Sequence, residues 1–82
     1  MSSYRFAVDV MPRDGILDPQ GRAVESALPQ LHAENVHGVR VGRRIELTVE
    51  AEDAERARAV VDKLAADFLA NPLVERWEIE LR

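Results

Sequence analysis

Arginine supplies the densest chemistry in this sequence, with Arg40, Arg43 and Arg44 falling in one short segment. A guanidinium fork donates two parallel hydrogen bonds to a carboxylate or phosphate, so such a cluster could hold an acidic partner. A short basic run is also ordinary content for a solvated turn. A second candidate is Asp18-Pro19-Gln20-Gly21. A helix start attracts anions, but Asp18 places a negative charge where the anion would sit, which fits a capping residue better. His32 and His37 flank a turn with no Cys and no carboxylate at metal-ligand spacing, so no metal site is expected. Glu46, Glu50, Glu78 and Glu80 alternate along strand-like segments and read as a solvated sheet face, not as a general acid/base pair. Neither a P-loop nor a Gly-x-Gly-x-x-Gly fingerprint is present. No catalytic, metal-binding or cofactor-binding residue is therefore assigned.

The whole composition limits the choices further. With 82 residues the chain has room for one domain. Domains this small bury a modest share of their surface and lean on disulfides, metals or oligomerisation. Cysteine is absent, so disulfides and thiol chemistry are excluded and a homo-oligomer is expected. A net charge of -4, from 15 acidic and 11 basic residues, argues against general nucleic-acid binding. The apolar stretches are far too short for a membrane span, and the Met1-Ser2-Ser3-Tyr4-Arg5 start has no signal-like apolar region. A cytoplasmic protein is expected.

The elements that must position these residues follow from periodicity. Tyr4, Phe6, Val8 and Val10 alternate with Arg5, Ala7 and Asp9, which predicts a half-buried strand. Met11 to Leu17 reads as a loop. Asp18 followed by Pro19 predicts a helix start, and Val24, Ala27, Leu28 and Leu31 continue at helical spacing. Pro29 would remove a hydrogen bond and clash with the Glu25 carbonyl, so a kink or an end near Leu28 is expected. Val36 to Glu50 is the second β region, with Gly42 inside it. A three-residue loop Gly42-Arg43-Arg44 pairs Val41 with Ile45 and Val39 with Leu47, whereas a two-residue loop sets Val39 opposite Glu46. One long bent strand is the rival, because Val39, Val41, Ile45, Leu47 and Val49 share one parity. The pattern favours a hairpin.

Asp53 or Glu52 caps the next helix. Ala57, Val60, Val61, Leu64, Ala65 and Phe68 form its apolar stripe. Asn71 is a plausible left-handed cap and Pro72 a stop. Leu73, Glu75, Trp77, Ile79 and Leu81 share a parity and predict the last strand; Trp77 belongs to core or interface. The predicted fold is α+β in the order β-α-β-β-α-β, a ferredoxin-like two-layer sandwich with two helices on one face of an antiparallel sheet. Its open face and strand edges suit assembly.

Three junction segments carry a family resemblance: Gly15-Ile16-Leu17-Asp18-Pro19-Gln20-Gly21, Val39-Arg40-Val41-Gly42-Arg43-Arg44-Ile45-Glu46-Leu47 and Leu69-Ala70-Asn71-Pro72-Leu73-Val74-Glu75. In combination, over Phe6 to Leu81, the chain resembles the PurS family, the small subunit of phosphoribosylformylglycinamidine synthase. Pro29 departs from the family pattern, and Arg44 stands where members often carry an aromatic or other residue. The resemblance implies one PurS-like domain over residues 1–82. It implies a dimer or tetramer that bridges a glutaminase subunit and a large synthetase subunit and assists ammonia transfer in purine biosynthesis. It implies no cofactor on this chain, with ATP and magnesium used on the synthetase. Asp18, Pro19, Gln20, Gly21, Arg40, Arg43, Arg44, Asn71 and Pro72 are the expected partner-facing residues. The alternative is a ferredoxin-like regulatory module that binds a small metabolite at a dimer interface.

Overall fold

A computed structural model describes residues 1–82. Three strands form one antiparallel sheet in the order β2-β1-β3: β1 Ser2–Pro12, β2 Arg43–Ala51 and β3 Glu75–Leu81. Helix α1, Pro19–Ala27, lies in the long connection between β1 and β2, and helix α2, Ala54–Leu64, crosses from β2 to β3. Both outer strands run antiparallel to β1, so α2 is the crossover of a split β-α-β unit with β1 in the middle.

Register fixes what each sheet face carries. Val8 sits between Ile45 and Ile79, and Phe6 between Leu47 and Leu81. This apolar face lies under α2, whose Ala57 and Val61 are buried with Phe6, Val8 and Val10. The other face carries Ala7 between Glu46 and Glu80, and Asp9 between Arg44 and Glu78. There Arg44 meets Asp9, Glu46 and Glu80 at 3.0, 3.3 and 3.3 Å, and Arg82 meets Glu46 at 3.1 Å. The polar face is thus a lattice of exposed ion pairs. Its fully covered residue is Ala7, a small side chain beneath long charged ones. Such exposed pairs each contribute little, roughly 0–1 kcal/mol.

Local signals place the helices. Asp18 caps α1 with Pro19 at its first position, and Asp53 caps α2 by accepting from the Arg56 amide at 2.7 Å. Pro29 ends regular helix as expected: α1 stops at Ala27 and tightens into a 3-10 turn, Leu28–Leu31. That turn is closed by His32 in the left-handed region at φ 60°. Helix α2 widens at its end into a π turn, Ala65–Leu69.

The α+β class and the antiparallel sheet agree with the sequence reading; three details differ. The expected hairpin at Gly42 is absent, and Val36–Gly42 forms no strand. The Val41 amide, which a ladder would need, donates instead to the Asp18 carboxylate, a side-chain competitor of secondary structure. Second, α1 does not share the sheet face with α2; Gly21 is its one buried residue. It stands beyond the end of the sheet, so the chain measures 52 × 25 × 14 Å with a radius of gyration of 16.4 Å, against roughly 12 Å for a compact chain of this length. Third, Asn71 is no left-handed cap. Its side chain accepts from the Leu73 amide at 3.1 Å, and the preceding Ala70 is extended.

Candidate interaction surface

The three junction segments converge at one end of the sheet, where β1 finishes and β2 and β3 begin. They are drawn together by two hydrogen-bonded knots. In the first, the Asp18 carboxylate accepts from the Gly21 amide at 3.0 Å and from the Val41 amide at 2.8 Å. Gly21 must be glycine here, because a Cβ would collide with that carboxylate and with the Val39 carbonyl oxygen. Arg40 brings its Nε to 4.0 Å from Asp18. Its Nη2 donates to the Pro12 and Arg13 carbonyls at 2.6 and 2.9 Å, and its Nη1 to Asp14 at 3.2 Å. One arginine therefore ties the β1 exit to the segment that enters β2. Nε of Arg40 is buried without a hydrogen-bond acceptor, so its Asp18 contact is one of charge.

In the second knot, Arg43 grips Glu75 with both terminal nitrogens, at 2.7 and 3.0 Å, and also donates to the Leu69 carbonyl. This is the bidentate fork that makes arginine–carboxylate pairs specific. The same Glu75 accepts from the Asn71 amide at 2.8 Å. Arg13 links the two knots, with its Nε on the Pro72 carbonyl at 2.9 Å and its backbone amide on the Val74 carbonyl at 2.8 Å.

The structure thus sorts the residues singled out in the sequence. Asp18, Gly21 and Arg40 share one knot; Arg43, Asn71 and Pro72 share the other. Arg44, adjacent to Arg43 on a strand, points to the opposite face, as alternation requires. Pro19 and Gln20 remain exposed at the α1 start. The guanidinium groups of Arg40 and Arg43 are engaged within the chain, and the surface around them is carried by the loops they hold. Leu17 and Leu73, the latter 85 % exposed, stand out from those loops. Sequence reasoning missed Arg13 and Glu75 as partners of the motifs. Glu75 was legible only as one member of an alternating strand, and Arg13 gave no signal.

Charge follows the hydrogen bonds. The Gly21 and Val41 amides, with Arg40 nearby, hold the Asp18 carboxyl below its ordinary value. The Arg43 fork and the Asn71 amide do the same for Glu75. Both groups have a lower folded than unfolded pKa. Their stabilisation is complete above the unfolded values, roughly pH 4–4.5, and is lost as pH falls through the folded ones. Melting temperature should therefore fall steadily from about pH 5 to about pH 2, and Asp18→Asn should lower it at neutral pH while flattening that acid limb. A wild-type melting temperature unchanged across that range would show that the knots do not depend on charged carboxylates.

Comparison with known proteins agrees with this geometry. The family model described as PurS, phosphoribosylformylglycinamidine (FGAM) synthase, matches residues 5–82. The phosphoribosylformylglycinamidine synthase subunit PurS of Thermotoga maritima is 38% identical over 79 residues, covering 96% of each chain. That of Bacillus subtilis is 37% identical over 79 residues, covering 94% of this chain and 93% of its own. Among solved structures, a chain of the Thermotoga maritima PurLQS structure superposes with a TM-score of 0.90 at 36% identity over 100% of both chains, the projecting α1 segment included. On the strength of the match from residue 5 to residue 82, this chain belongs to the PurS family of phosphoribosylformylglycinamidine synthase.

Proposed function

We propose that this chain is the non-catalytic bridging subunit of phosphoribosylformylglycinamidine synthase. In that role it joins a glutaminase subunit to a large synthetase subunit and helps ammonia pass between them. The observation that carries the reading is its full-length likeness to a chain of the PurLQS structure of Thermotoga maritima. ATP and magnesium would be used on the synthetase subunit, and the complex would work in the cytoplasm; no helix of this chain is long and apolar enough to cross a membrane. The unit that acts is the whole of residues 1–82, as a homo-oligomer.

The task fits a rigid scaffold. Ammonia attacks as the neutral base, and in bulk water near neutral pH it is mostly ammonium, so a coupling subunit must hold two active sites in register and keep solvent from the route between them. The knotted end of the sheet suits such a role because its loops are cross-braced from three segments. We assign the contact to this end. Pro19, Gln20, Asn71 and Pro72 meet the other subunits directly, and Asp18, Gly21, Arg40 and Arg43 hold those loops in shape. Arg44 belongs to the ion-pair lattice of the polar face, a separate contact surface.

Reconstitution tests the role. With glutaminase and synthetase subunits, ATP, magnesium and formylglycinamide ribonucleotide, glutamine-dependent synthesis should require this chain, while synthesis from added ammonium should not. Equal glutamine-dependent rates with and without the chain would remove the coupling role. A melting temperature raised by a small metabolite alone would then support a regulatory module instead.

A further inference from the structure

Strand β3 is an edge of the sheet, and an open groove of about 680 Å³ runs between it and α2. Two hydrogen bonds fix which of its backbone groups are free. The Arg13 amide donates to the Val74 carbonyl and the Arg82 amide to the Arg5 carbonyl, both at 2.8 Å. Antiparallel bonding alternates along a strand, so Arg76, Glu78 and Glu80 turn their backbone groups to β1. Trp77, Ile79 and Leu81 turn theirs outward. The register runs unbroken from Glu75 to Leu81, without the proline or bulge that commonly blunts an edge. The Ile79 carbonyl is capped by the exposed Arg58, whose Nη2 donates to it at 3.2 Å.

The groove beside this edge has a defined chemistry. Trp77 and Ile79 pack toward the core on the α2 side and, with Ala59 of α2, give the groove an apolar floor. The indole N–H of Trp77 donates to the Asp62 carboxylate at 3.1 Å, which holds the ring in place. The rest of the lining is Glu55, Asp62 and Glu78 against Arg58, an acidic balance. An aromatic floor under an acidic rim suits a side chain with an aliphatic stem and a cationic head. The stem lies on the floor and the head meets the rim carboxylates. Directly opposite residues of paired strands share a sheet face. A strand laid along β3 would therefore send into the groove the side chains of those residues whose backbone groups bond to Trp77, Ile79 and Leu81.

We propose that β3 receives an extended basic segment of a partner protein as a fourth strand, with lysine or arginine at alternate positions seated in the groove. Main-chain bonds to the free edge supply affinity, and the groove supplies selection. A second copy of β3 is the wrong occupant. Antiparallel pairing about Glu78 or about Ile79 would set Glu78 opposite Glu78 or opposite Glu80, and like charges directly opposite are destabilising. This goes beyond the bridging role and does not rest on it, because the edge and its groove belong to this chain alone.

The probe is a capped heptapeptide that alternates lysine with threonine. Trp77 is the one tryptophan of the chain, so its emission should report binding, and amide exchange at Trp77, Ile79 and Leu81 should slow. N-methylation at the lysines removes the N–H groups that would face β3 and should weaken binding about tenfold or more. N-methylation at the threonines, whose N–H groups face away, should leave it nearly intact. Glutamate in place of lysine should abolish it. Glu55→Lys and Glu78→Lys, both at exposed positions, should each weaken it a few-fold. Arg58→Ala should tighten it, because the Ile79 carbonyl is uncapped and a like charge is gone. Circular dichroism should be unchanged in all three variants. No change in emission or exchange at millimolar peptide overturns the proposal. So do equal losses from the two methylation patterns, binding of the glutamate peptide, or looser binding by Arg58→Ala. No glutaminase or synthetase enters these measurements, so failure here is separable from failure of the reconstitution.

Discussion

Phe6→Ala should cost this chain about 3–5 kcal/mol of unfolding free energy, the usual range for removing a fully buried phenylalanine. The total available to 82 residues is about 4–12 kcal/mol, so the variant should be largely unfolded or close to its midpoint in water. The reason lies in how thin the core is. Its cluster holds 8 buried residues, and four of these are alanines. Phe6 is the largest side chain in it, 1 % exposed and centred on the middle strand between Leu47 and Leu81. The neighbours that could collapse into the hole are held by ladders on both sides of β1 and by α2 above. Urea denaturation followed by circular dichroism reads the effect. Leu73→Ala is the matched control: it removes a comparable apolar side chain from an exposed loop, and should change stability by no more than about 0.5 kcal/mol. Equal losses at the two positions would mean that the core is not under α2.

Local rules made most of the elements legible. The Asp18-Pro19 start, the stop at Pro29, the Asp53 cap and the alternation of β1 and β3 each follow from one or two adjacent residues, and each stands where it was expected. The misreadings share a different cause. Val39 and Val41 have strand parity, but whether a strand forms depends on a free ladder partner, and Asp18, distant in sequence, takes the Val41 amide first. On α2 the pattern showed one broad apolar stripe, yet Ala57, Val61 and Ala65 are buried while Val60, Leu64 and Phe68 are exposed. Periodicity reports which face is apolar; it does not report that the neighbouring helix stands elsewhere. The candidate site divides in the same way. The motif segments were visible as segments, but the fork from Arg43 to Glu75 joins two junctions far apart in the chain, and no spacing rule pairs them.

Gly42→Ala should be damaging out of proportion to the one methyl group it adds, costing on the order of 1–3 kcal/mol, the range for overpacking a tight site. Gly42 has no positive φ, so conformational freedom is not the issue. A Cβ there would run into the Val10 carbonyl oxygen and the Met11 sulfur. The thioether can swing aside, but the Val10 carbonyl belongs to the central strand and cannot. The backbone entering β2 must therefore retreat, and it carries with it Arg40 on one side and Arg43 on the other. Both knots loosen from one methyl group. Gly38→Ala separates this from ordinary strain. Gly38 has φ +71° and open space around it, so the substitution meets only the left-handed penalty, roughly 1 kcal/mol. Gly38→Asn, which tolerates that conformation, should recover part of it, whereas Gly42→Asn should be worse than Gly42→Ala. The opposite order at position 42 would place the constraint in the dihedral and not in the contact.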